Sequence, residues 1–315
     1  MSYIIFARSI IKLINDTIYL MKFIKKCRVC PFNCGVDRKT KLGVCQAPDY
    51  IEISHSQIHF WEEPCISGVG EKLGGSGTIF FSHCNLKCIF CQNYKISQLN
   101  HGQKYSGEEL FKLCLRLKVG GSYNINLVSP TSYSLYLKSF LEKYKNRIGL
   151  PIVWNSNAYE KEETIKSLNG LVDVWLPDFK YYNDNLALKY SKAKNYFQYA
   201  ASNILQMRRC SPKDIFNKNG IMVKGLLVRH LVLPGQNEDS LKILKWIKDN
   251  LGKNTTISLM SQYYPAHHAR KYSEINKKIA SQEYQILINW LSDNDFSNVF
   301  IQDISSANEA FTPNF

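Results

Sequence analysis

The stretch Gly77–Asn93 reads GTIFFSHCNLKCIFCQN, in which an apolar run leads directly into Cys84, Cys88 and Cys91. Three thiolates at CxxxCxxC spacing on one loop can each bind one iron of a [4Fe–4S] cluster, and the fourth iron then has no cysteine ligand nearby. An open coordination position on a metal can take a substrate or cofactor. The alternatives are a zinc knuckle and a ferredoxin-like electron carrier. They fit less well, because zinc sites usually pair ligands across a longer gap and a ferredoxin cluster needs a fourth cysteine.

Apolar, β-prone runs alternate with helical patterns from this stretch to the C-terminus. The strands are predicted at Thr78–Ser82, Asn124–Val128, Ile152–Trp154, Val172–Leu176, Leu226–Leu233, Thr256–Met260 and Asn298–Ile301. The helices are predicted at Gly107–Lys118, Ser134–Tyr144, Leu186–Gln206, Asp239–Leu251 and Lys271–Leu291. This alternation predicts an α/β fold with a parallel sheet wound into a full or partial barrel, whose ligands lie at the carboxyl ends of the strands.

Four further cysteines crowd the segment before the barrel, at positions Cys27, Cys30, Cys34 and Cys45. Residues 27–76 show little regular periodicity, so we interpret them as a cysteine-rich, metal-binding lobe ahead of a barrel formed by residues 77–315. Four thiolates can hold zinc or a second, fully ligated iron–sulfur cluster, and spacing does not separate the two. Unligated thiols are the remaining alternative. Cys65 could replace one of the four or lie near the substrate, and Cys114 fits an apolar helical face.

The overall composition indicates which partners and which compartment are compatible with these motifs. The 315 residues contain 40 Lys and Arg against 26 Asp and Glu, a formal charge of +14, and 45% of them are hydrophobic. The basic residues are scattered, so compositional bias explains the charge better than a nucleic-acid or membrane surface. Clustered cysteines in a chain of this length indicate metal binding in a reducing compartment, so we expect a cytoplasmic protein.

The N-terminal segment is considered separately, as an extension over residues 1–26. Charged residues interrupt its apolar run, so it falls short of a membrane span of ~20 residues. Residues 1–24 have the basic, amphipathic character of an organellar presequence, which would place the protein in an organellar matrix. A packed N-terminal helix, or an upstream extension before Met21, are the alternatives.

The three-cysteine motif directly after a strand resembles that of the radical S-adenosylmethionine (radical SAM) superfamily. Further stretches are similar to the homologues of pyruvate formate-lyase activating enzyme, and they are Cys27–Arg38, His59–Gly68, Leu127–Thr131, Leu176–Tyr181 and Val228–Gly235. The resemblance implies a partial (β/α)6 TIM-like barrel that binds a [4Fe–4S] cluster and S-adenosylmethionine. It also implies reductive cleavage of that cofactor to methionine and a 5′-deoxyadenosyl radical, which abstracts a hydrogen atom from the substrate.

The resemblance further implies a set of cofactor-binding residues. Matched position by position, they are Phe90, Ser129, Thr131, Asn155, Asn157, Asp178, Lys180, Arg229 and His267. Two positions depart from the activating enzymes, because the Gly-Gly-Glu-Pro glutamate is absent near Ser129 and Asn155 replaces an acid. Backbone carbonyls or the Thr131 hydroxyl could then bind the methionine ammonium group. Asp178 and Lys180 could instead form a local ion pair at a strand end. Arg229 could be a solvated residue at the end of its strand.

Two classes of function follow. The first is a radical SAM enzyme that takes electrons from a flavodoxin or ferredoxin type of reductant and acts on a glycyl radical protein, a small molecule or RNA. The second is a non-catalytic iron–sulfur or zinc protein that binds nucleic acid through its basic surface. A simple electron carrier is disfavoured by the missing fourth cysteine.

Overall fold

The computed structural model describes residues 26–70 and 74–309. The predicted N-terminal extension lies outside the described residues apart from Lys26, and with it the presequence prediction. Within the described ranges, no helix is long and apolar enough to cross a membrane.

A mixed sheet of ten strands organises the described part of the chain. The strands are β1 (Ile51–His59), β2 (Ser76–Phe81), β3 (Gln103–Tyr105), β4 (Asn124–Val128), β5 (Ile152–Ser156), β6 (Val174–Pro177), β7 (Ile215–Phe216), β8 (Met222–Leu231), β9 (Thr256–Met260) and β10 (Val299–Ile301). Their order across the sheet is β3-β1-β2-β4-β5-β6-β8-β9-β10, with β7 paired to β8. The two ends of this path are not joined to each other.

The strands from β2 to β10 that follow the main path are all parallel to their neighbours. They are also adjacent in chain order, so every crossover turns in the same direction and the sheet curls toward an open barrel. Strands β4, β5, β6 and β9 are buried along their whole length, which their near-continuous apolar sequences predicted. The predicted α/β fold with a parallel sheet is confirmed, and the short β10 extends it.

Strand β1 was not predicted from the sequence. It lies within the segment assigned to the cysteine-rich lobe, yet it pairs antiparallel with β2 and carries β3 on its other edge. Its burial pattern is mixed, with Ile51 and Ile53 buried and most of its other residues half-buried. The sheet therefore begins inside residues 27–76, and the irregular cysteine-rich part is confined to the residues before β1.

Helices connect the parallel strands. They are α1 (Pro64–Ser67), α2 (Tyr94–Ser97), α3 (Gly107–Val119), α4 (Ser134–Ile148), α5 (Glu162–Ser167), α6 (Asp184–Ser191), α7 (Tyr196–Cys210), α8 (Asn237–Leu251) and α9 (Ser281–Asp293). The start of α3 shows how local sequence fixes a boundary. The Ser106 hydroxyl accepts a hydrogen bond from the Glu109 amide, while the Glu109 carboxylate accepts one from the Ser106 amide.

The single helix predicted over Leu186–Gln206 is wrong, because two helices, α6 and α7, occupy this region. Lys192 and Asn195 between them adopt left-handed backbone conformations, with φ of 57° and 52°. The break leaves the last carbonyls of α6 available, and those of Tyr190 and Ser191 accept hydrogen bonds from the Ile89 and Lys87 amides. The helix thus ends where it contacts the cysteine loop.

The helix predicted over Lys271–Leu291 is also wrong in its first half. A short 3-10 turn covers Ala269–Lys271, and α9 begins only at Ser281. Between them, the Ile275 carbonyl accepts a hydrogen bond from the Tyr263 hydroxyl at 2.7 Å. Tertiary contacts therefore satisfy the backbone that a helix would otherwise pair internally.

Candidate active site

The loop after β2 carries the three cysteines of the opening motif. The amides of Lys87 and Ile89 in this loop donate hydrogen bonds to the last carbonyls of α6, as described above. At the other side, the His83 amide donates to the Ile96 carbonyl, and the His83 ring lies 2.6 Å from the Glu52 carboxylate. His83 is buried, and its amide and ring hold this end of the loop. The loop is therefore fixed at both ends by the fold.

Two serine hydroxyls approach the sulfur atoms of this loop. Ser191 Oγ donates to Cys88 Sγ at 3.0 Å, and Ser97 Oγ lies 3.2 Å from Cys91 Sγ. Burial raises the pKa of the thiols to about 11, for Cys84, Cys88 and Cys91 alike. Bound iron displaces such protons outright, so the loop presents thiolates only when it holds a metal centre.

The cysteine loop opens into a cavity of ≈ 180 Å³ at the carboxyl ends of the strands. Seven of the nine cofactor-binding residues predicted from the resemblance line it, together with the three cysteines, and these seven are Phe90, Ser129, Asn155, Asn157, Asp178, Lys180 and Arg229. Residues from several strands thus converge because parallel strands end at the same edge of a sheet.

Arg229 on β8 is the centre of a buried polar network beside this cavity. It donates from Nε to Asp178 at 2.8 Å, from Nη1 to Glu62 at 3.1 Å and from Nη2 to Asn155 at 2.7 Å. Lys180 contacts the second oxygen of Asp178 at 2.7 Å. Burial alone would raise the pKa of Asp178, but the two cations hold this pKa below its usual value. The Asp178–Lys180 pair therefore exists, and it faces the cavity.

The other two predicted cofactor residues do not line the cavity. Thr131 is buried and its hydroxyl donates to Glu160 at 2.9 Å, so that hydroxyl is directed into the protein. His267 is half-buried and stacks on Tyr94, with 4.6 Å between the ring centroids. Of the two groups suggested for the methionine ammonium, the backbone near Ser129 is the one at the cavity, and Ser129 has a left-handed conformation with φ of 58°.

A second, larger cavity of ≈ 470 Å³ shares a wall with the first. Asn155, Arg229 and Met260 belong to both walls. Its other residues include Glu62 and Glu63, to which the sequence analysis assigned no role. The quoted stretch His59–Gly68 contained the signal, because two adjacent acids before a proline are unusual in an otherwise aromatic run.

The four upstream cysteines lie around one cavity. Cys27, Cys30, Cys34 and Cys45 line one small cavity with Arg38, a buried residue. Arg38 Nη2 donates to Cys27 Sγ at 3.1 Å, and Nη1 donates to the Ser132 carbonyl at 2.5 Å. A Cβ on Gly43 would lie 3.1 Å from Cys34 Sγ, a tight contact that the glycine avoids. Burial raises the pKa of Cys30 to about 12.

Asn85 separates the two groups of cysteines. It follows Cys84 in the chain and also lines the upstream cavity. Its amide nitrogen donates to the Tyr159 carbonyl at 2.6 Å, and its oxygen accepts from Asn157 Nδ2 at 2.8 Å. The same Asn157 nitrogen lies 3.4 Å from Cys84 Sγ. The two cysteine groups are therefore neighbours, connected through one amide pair.

The remaining cysteines are placed away from both groups. Cys65 is 2% exposed and packs in an apolar cluster with Ile66 and Val153, so neither alternative raised for it is supported by its position. Cys114 is fully buried in the main core, as its helical pattern predicted. In the described ranges all ten cysteines are free thiols.

The donor set at the loop fits an iron–sulfur cluster. Among the described residues, no three His, Cys, Asp or Glu side chains surround one point where a single metal ion could bind. A cluster needs a different arrangement, with one thiolate for each iron and therefore more widely separated sulfurs. The loop offers three sulfurs around a cavity, with hydroxyl groups next to Cys88 and Cys91. Cys84, Cys88 and Cys91 are thus the residues that would hold the cluster.

Solved structures are similar to this fold at low sequence identity. A structure of TYW1 with a lysine–pyruvate adduct bound has a TM-score of 0.51 and 14% identity, covering 78% of this chain and 81% of that chain. SuiB of Streptococcus suis bound to S-adenosylmethionine has a TM-score of 0.49 and 13% identity, covering 70% of this chain and 48% of that chain. The present chain thus spans about half the length of SuiB. A domain of pyruvate-formate lyase-activating enzyme from Bacteroides vulgatus has a TM-score of 0.43 and 12% identity, covering 57% of this chain and 99% of that one.

A sequence relative and a family model identify the family of this chain. The uncharacterized protein MJ0674 of Methanocaldococcus jannaschii is 34% identical over 276 residues, which are 83% of this chain and 72% of the relative. The family model of the radical SAM superfamily matches residues 78–247, from the first strand of the parallel sheet into α8. That range contains the cysteine loop and, apart from Glu62, the residues of the Arg229 network. The chain belongs to the radical SAM superfamily.

Proposed function

We propose that this protein cleaves S-adenosylmethionine reductively and uses the product radical to abstract a hydrogen atom from a substrate in the adjoining cavity. The observation that carries the proposal is one cavity, at the carboxyl edge of the sheet, lined by Cys84, Cys88 and Cys91 together with seven of the nine predicted cofactor-binding residues. When bound, the cluster supplies the electron that makes this cleavage possible.

The residues of the chain would bind and orient the cofactor. Lys180 is a half-buried cation next to the cysteine loop, so it would offset the negative charge of bound thiolates. Burial would lower the pKa of Lys180, but Asp178 raises it, so the amine stays charged. Arg229 is already engaged by Asp178, Glu62 and Asn155, which makes it a positioning residue that fixes the wall between the two cavities.

The test is the cleavage reaction itself. Protein reconstituted with iron and sulfide without oxygen and then reduced should release 5′-deoxyadenosine and methionine from S-adenosylmethionine. Asp178→Asn should slow the reaction by at least about tenfold, because Arg229 and Lys180 each lose a charged contact. Asp295→Asn is the matched control, since that carboxylate is 79% exposed and distant in the fold. An intact cluster that yields no 5′-deoxyadenosine would contradict the proposal.

For the substrate and partners we propose the glycyl radical activation that the sequence resemblance implies, with a flavodoxin or ferredoxin type of protein as the electron donor. The motif stretches quoted above support this, and free cysteines suit a reducing, cytoplasmic compartment. Incubation with a co-purifying glycyl radical enzyme should produce a protein-based radical signal in electron paramagnetic resonance (EPR). If deoxyadenosine forms without that signal, a small-molecule or RNA substrate replaces this part of the proposal.

We propose a second iron–sulfur cluster at Cys27, Cys30, Cys34 and Cys45, rather than zinc, because no three of these side chains, all within the described residues, surround a point where a single ion could bind. Their convergence on one cavity with a buried Arg38 supports it, since a guanidinium in such a place compensates thiolate charge. The charges of Cys45 and Cys27 raise the pKa of Arg38 against the effect of burial. Iron, sulfide and zinc analysis of the purified protein tests the proposal. Metal confined to the cysteine loop would overturn it.

A further inference from the structure

The larger cavity is acidic, although the chain as a whole is strongly basic. The formal charge of the sequence is +14. The cavity nevertheless has three carboxylates on its wall, from Glu62, Glu63 and Asp303, against one guanidinium, from Arg229. A local charge opposite to that of the whole protein points to a ligand of positive charge rather than to general surface composition.

The single cation of this wall does not neutralise it. Arg229 donates its shortest charged hydrogen bond, 2.8 Å, to Asp178, which lies outside the larger cavity. Its Nη1 donates to Glu62 at 3.1 Å. The same nitrogen is 3.8 Å from Glu63 Oε2, too far for a hydrogen bond. The guanidinium is therefore shared by three acids and satisfies two of them.

Buried acceptors in this wall lack hydrogen-bond partners. Glu63 is 5% exposed, and its Oε2 has no hydrogen-bond partner among the described residues. The same holds for the hydroxyl of the fully buried Ser258 and for the Oε1 atom of Gln302. All three residues line the cavity. Leaving buried polar atoms unpaired costs free energy, so their number at one place indicates a bound group that donates several hydrogen bonds.

Aromatic side chains complete the wall. Trp61 is 58% exposed and lines the cavity with Phe300 and His59. Burial lowers the pKa of His59, so its ring is neutral and adds no competing positive charge. Aromatic faces attract cations, and an aliphatic chain packs on them. The cavity therefore combines a carboxylate at its base with an apolar side and an open rim.

We propose that the substrate of this enzyme presents an aliphatic primary amine, whose ammonium group binds at Glu63 with Ser258 and Gln302 as additional partners. An ammonium group carries three donors and no acceptor, which matches the unpaired acceptors. The shared wall at Asn155 and Met260 then places carbon atoms of the amine next to the S-adenosylmethionine cavity. The inference rests on the proposed cleavage of S-adenosylmethionine for its chemistry, and an amine substrate would take the place of the glycyl radical protein proposed above. The binding site itself rests on neither proposal.

The ionisation of Glu63 agrees with this assignment. Burial raises its pKa to about 7 and Glu62 adds to the increase, whereas Arg229 and the Ser258 hydroxyl oppose it, so this hydroxyl lies next to the carboxylate. The His59 ring and the Cys65 thiol also interact with this carboxylate, and burial keeps the ring neutral and the thiol protonated. An ammonium ion would supply the positive charge that the carboxylate lacks, so binding should favour the ionised form.

Binding can be measured with n-hexylammonium on the reconstituted, full-length protein in the presence of S-adenosylmethionine. Hexan-1-ol and hexanoate are matched probes without the positive charge, and Nα-acetyl-lysine amide tests whether the amine can belong to a peptide. We expect n-hexylammonium to bind at least about tenfold more tightly than hexan-1-ol, since one charged contact is worth roughly this factor. Glu63→Gln should remove that difference, whereas Asp295→Asn should leave it unchanged.

Equal or tighter binding of hexan-1-ol or hexanoate would overturn the inference. Competition between n-hexylammonium and S-adenosylmethionine would also overturn it, because the amine would then occupy the cofactor cavity. Tighter binding of the lysine derivative than of the free amine would identify a peptide as the source of the amine. Binding that depends on Glu63 in a protein that forms no 5′-deoxyadenosine would refute the proposed reaction and leave the amine site standing.

Discussion

The two groups of cysteines are neighbours, but their surroundings differ. The loop group has three thiols that face a cavity of ≈ 180 Å³, among side chains with hydroxyl, amide and charged groups. The upstream group has four thiols around a much smaller space, which Arg38 helps to fill. Three thiols beside an open cavity leave room for a reacting molecule. Four thiols around a small space that a side chain occupies do not. We infer that the first group serves chemistry and the second stability.

The partners of the sulfurs support the same distinction. Around the loop group the side-chain partners are uncharged, such as the Asn157 amide and the hydroxyl of Ser191, which is itself in contact with the Tyr181 hydroxyl at 2.7 Å. In the upstream group a guanidinium is among the partners, and it also binds the carbonyl of Ser132 in the turn after β4. Arg38 therefore ties the cysteine-rich segment to the sheet. The following predictions probe this difference, beginning with the largest effect.

Cys88→Ala should abolish the cleavage of S-adenosylmethionine, by a factor on the order of a thousand or more, because one iron loses its ligand. The upstream metal should remain, and metal analysis of the variant checks that directly. Cys114→Ala is the control, since this thiol is buried in the core away from both groups. Loss of both metal centres in Cys88→Ala would mean that the two groups are one structural unit.

Cys30→Ala should have the opposite profile. We expect loss of the upstream metal and a decrease of several kcal/mol in the free energy of unfolding, since structural metal sites contribute directly to folding. Cleavage of S-adenosylmethionine should persist at a temperature where the variant is folded. Denaturant unfolding and 5′-deoxyadenosine formation measure the two effects separately. Complete loss of cleavage in a folded variant would show that the upstream group takes part in the reaction.

Arg38→Gln should destabilise the protein by about 2 kcal/mol, because buried carbonyl and sulfur acceptors lose a charged donor. The effect should be smaller than that of Cys30→Ala, since the four thiols are retained. Arg28→Gln is the control, because Arg28 is exposed and only two residues from Cys30. An effect of equal size in both arginine variants would indicate general electrostatics rather than a specific contact.

Much of the fold was predictable because parallel strands that are buried on both faces have a simple signature. The predicted Asn124–Val128 and Thr256–Met260 agree with β4 and β9 at both ends. The half-buried β1 lacks this signature, and its pairing with β2 depends on residues distant in sequence. The break between α6 and α7 was missed for a similar reason. The carbonyls at the end of α6 bind the cysteine loop, which a local pattern does not show.

The residues of the candidate site also fall into two classes, those that could be predicted from the sequence and those that could not. Residues at strand ends, such as Asp178 and Arg229, could be predicted because strand ends converge on one edge of the sheet. Thr131 lies only two residues beyond Ser129, yet its hydroxyl turns inward to Glu160, a buried acid that the sequence analysis passed over. Glu63 lies before the first parallel strand, so only the folded chain brings it to Arg229. Sequence position thus identified residues on the barrel strands and missed those contributed from outside them.

The smallest predicted effect concerns a single hydroxyl in the loop group. Ser191→Ala removes the hydrogen bond to Cys88 Sγ and should lower the reduction potential of the bound cluster, because such a bond stabilises the more negative, reduced state. We expect a shift on the order of 60 mV or less, which is a factor of ten in the one-electron equilibrium. A redox titration followed by EPR measures it, with the exposed Ser167→Ala as control. The upstream centre should keep its potential. A shift in both centres would show that they are electrically coupled across Asn85, and the separation into chemistry and stability would then have to be abandoned.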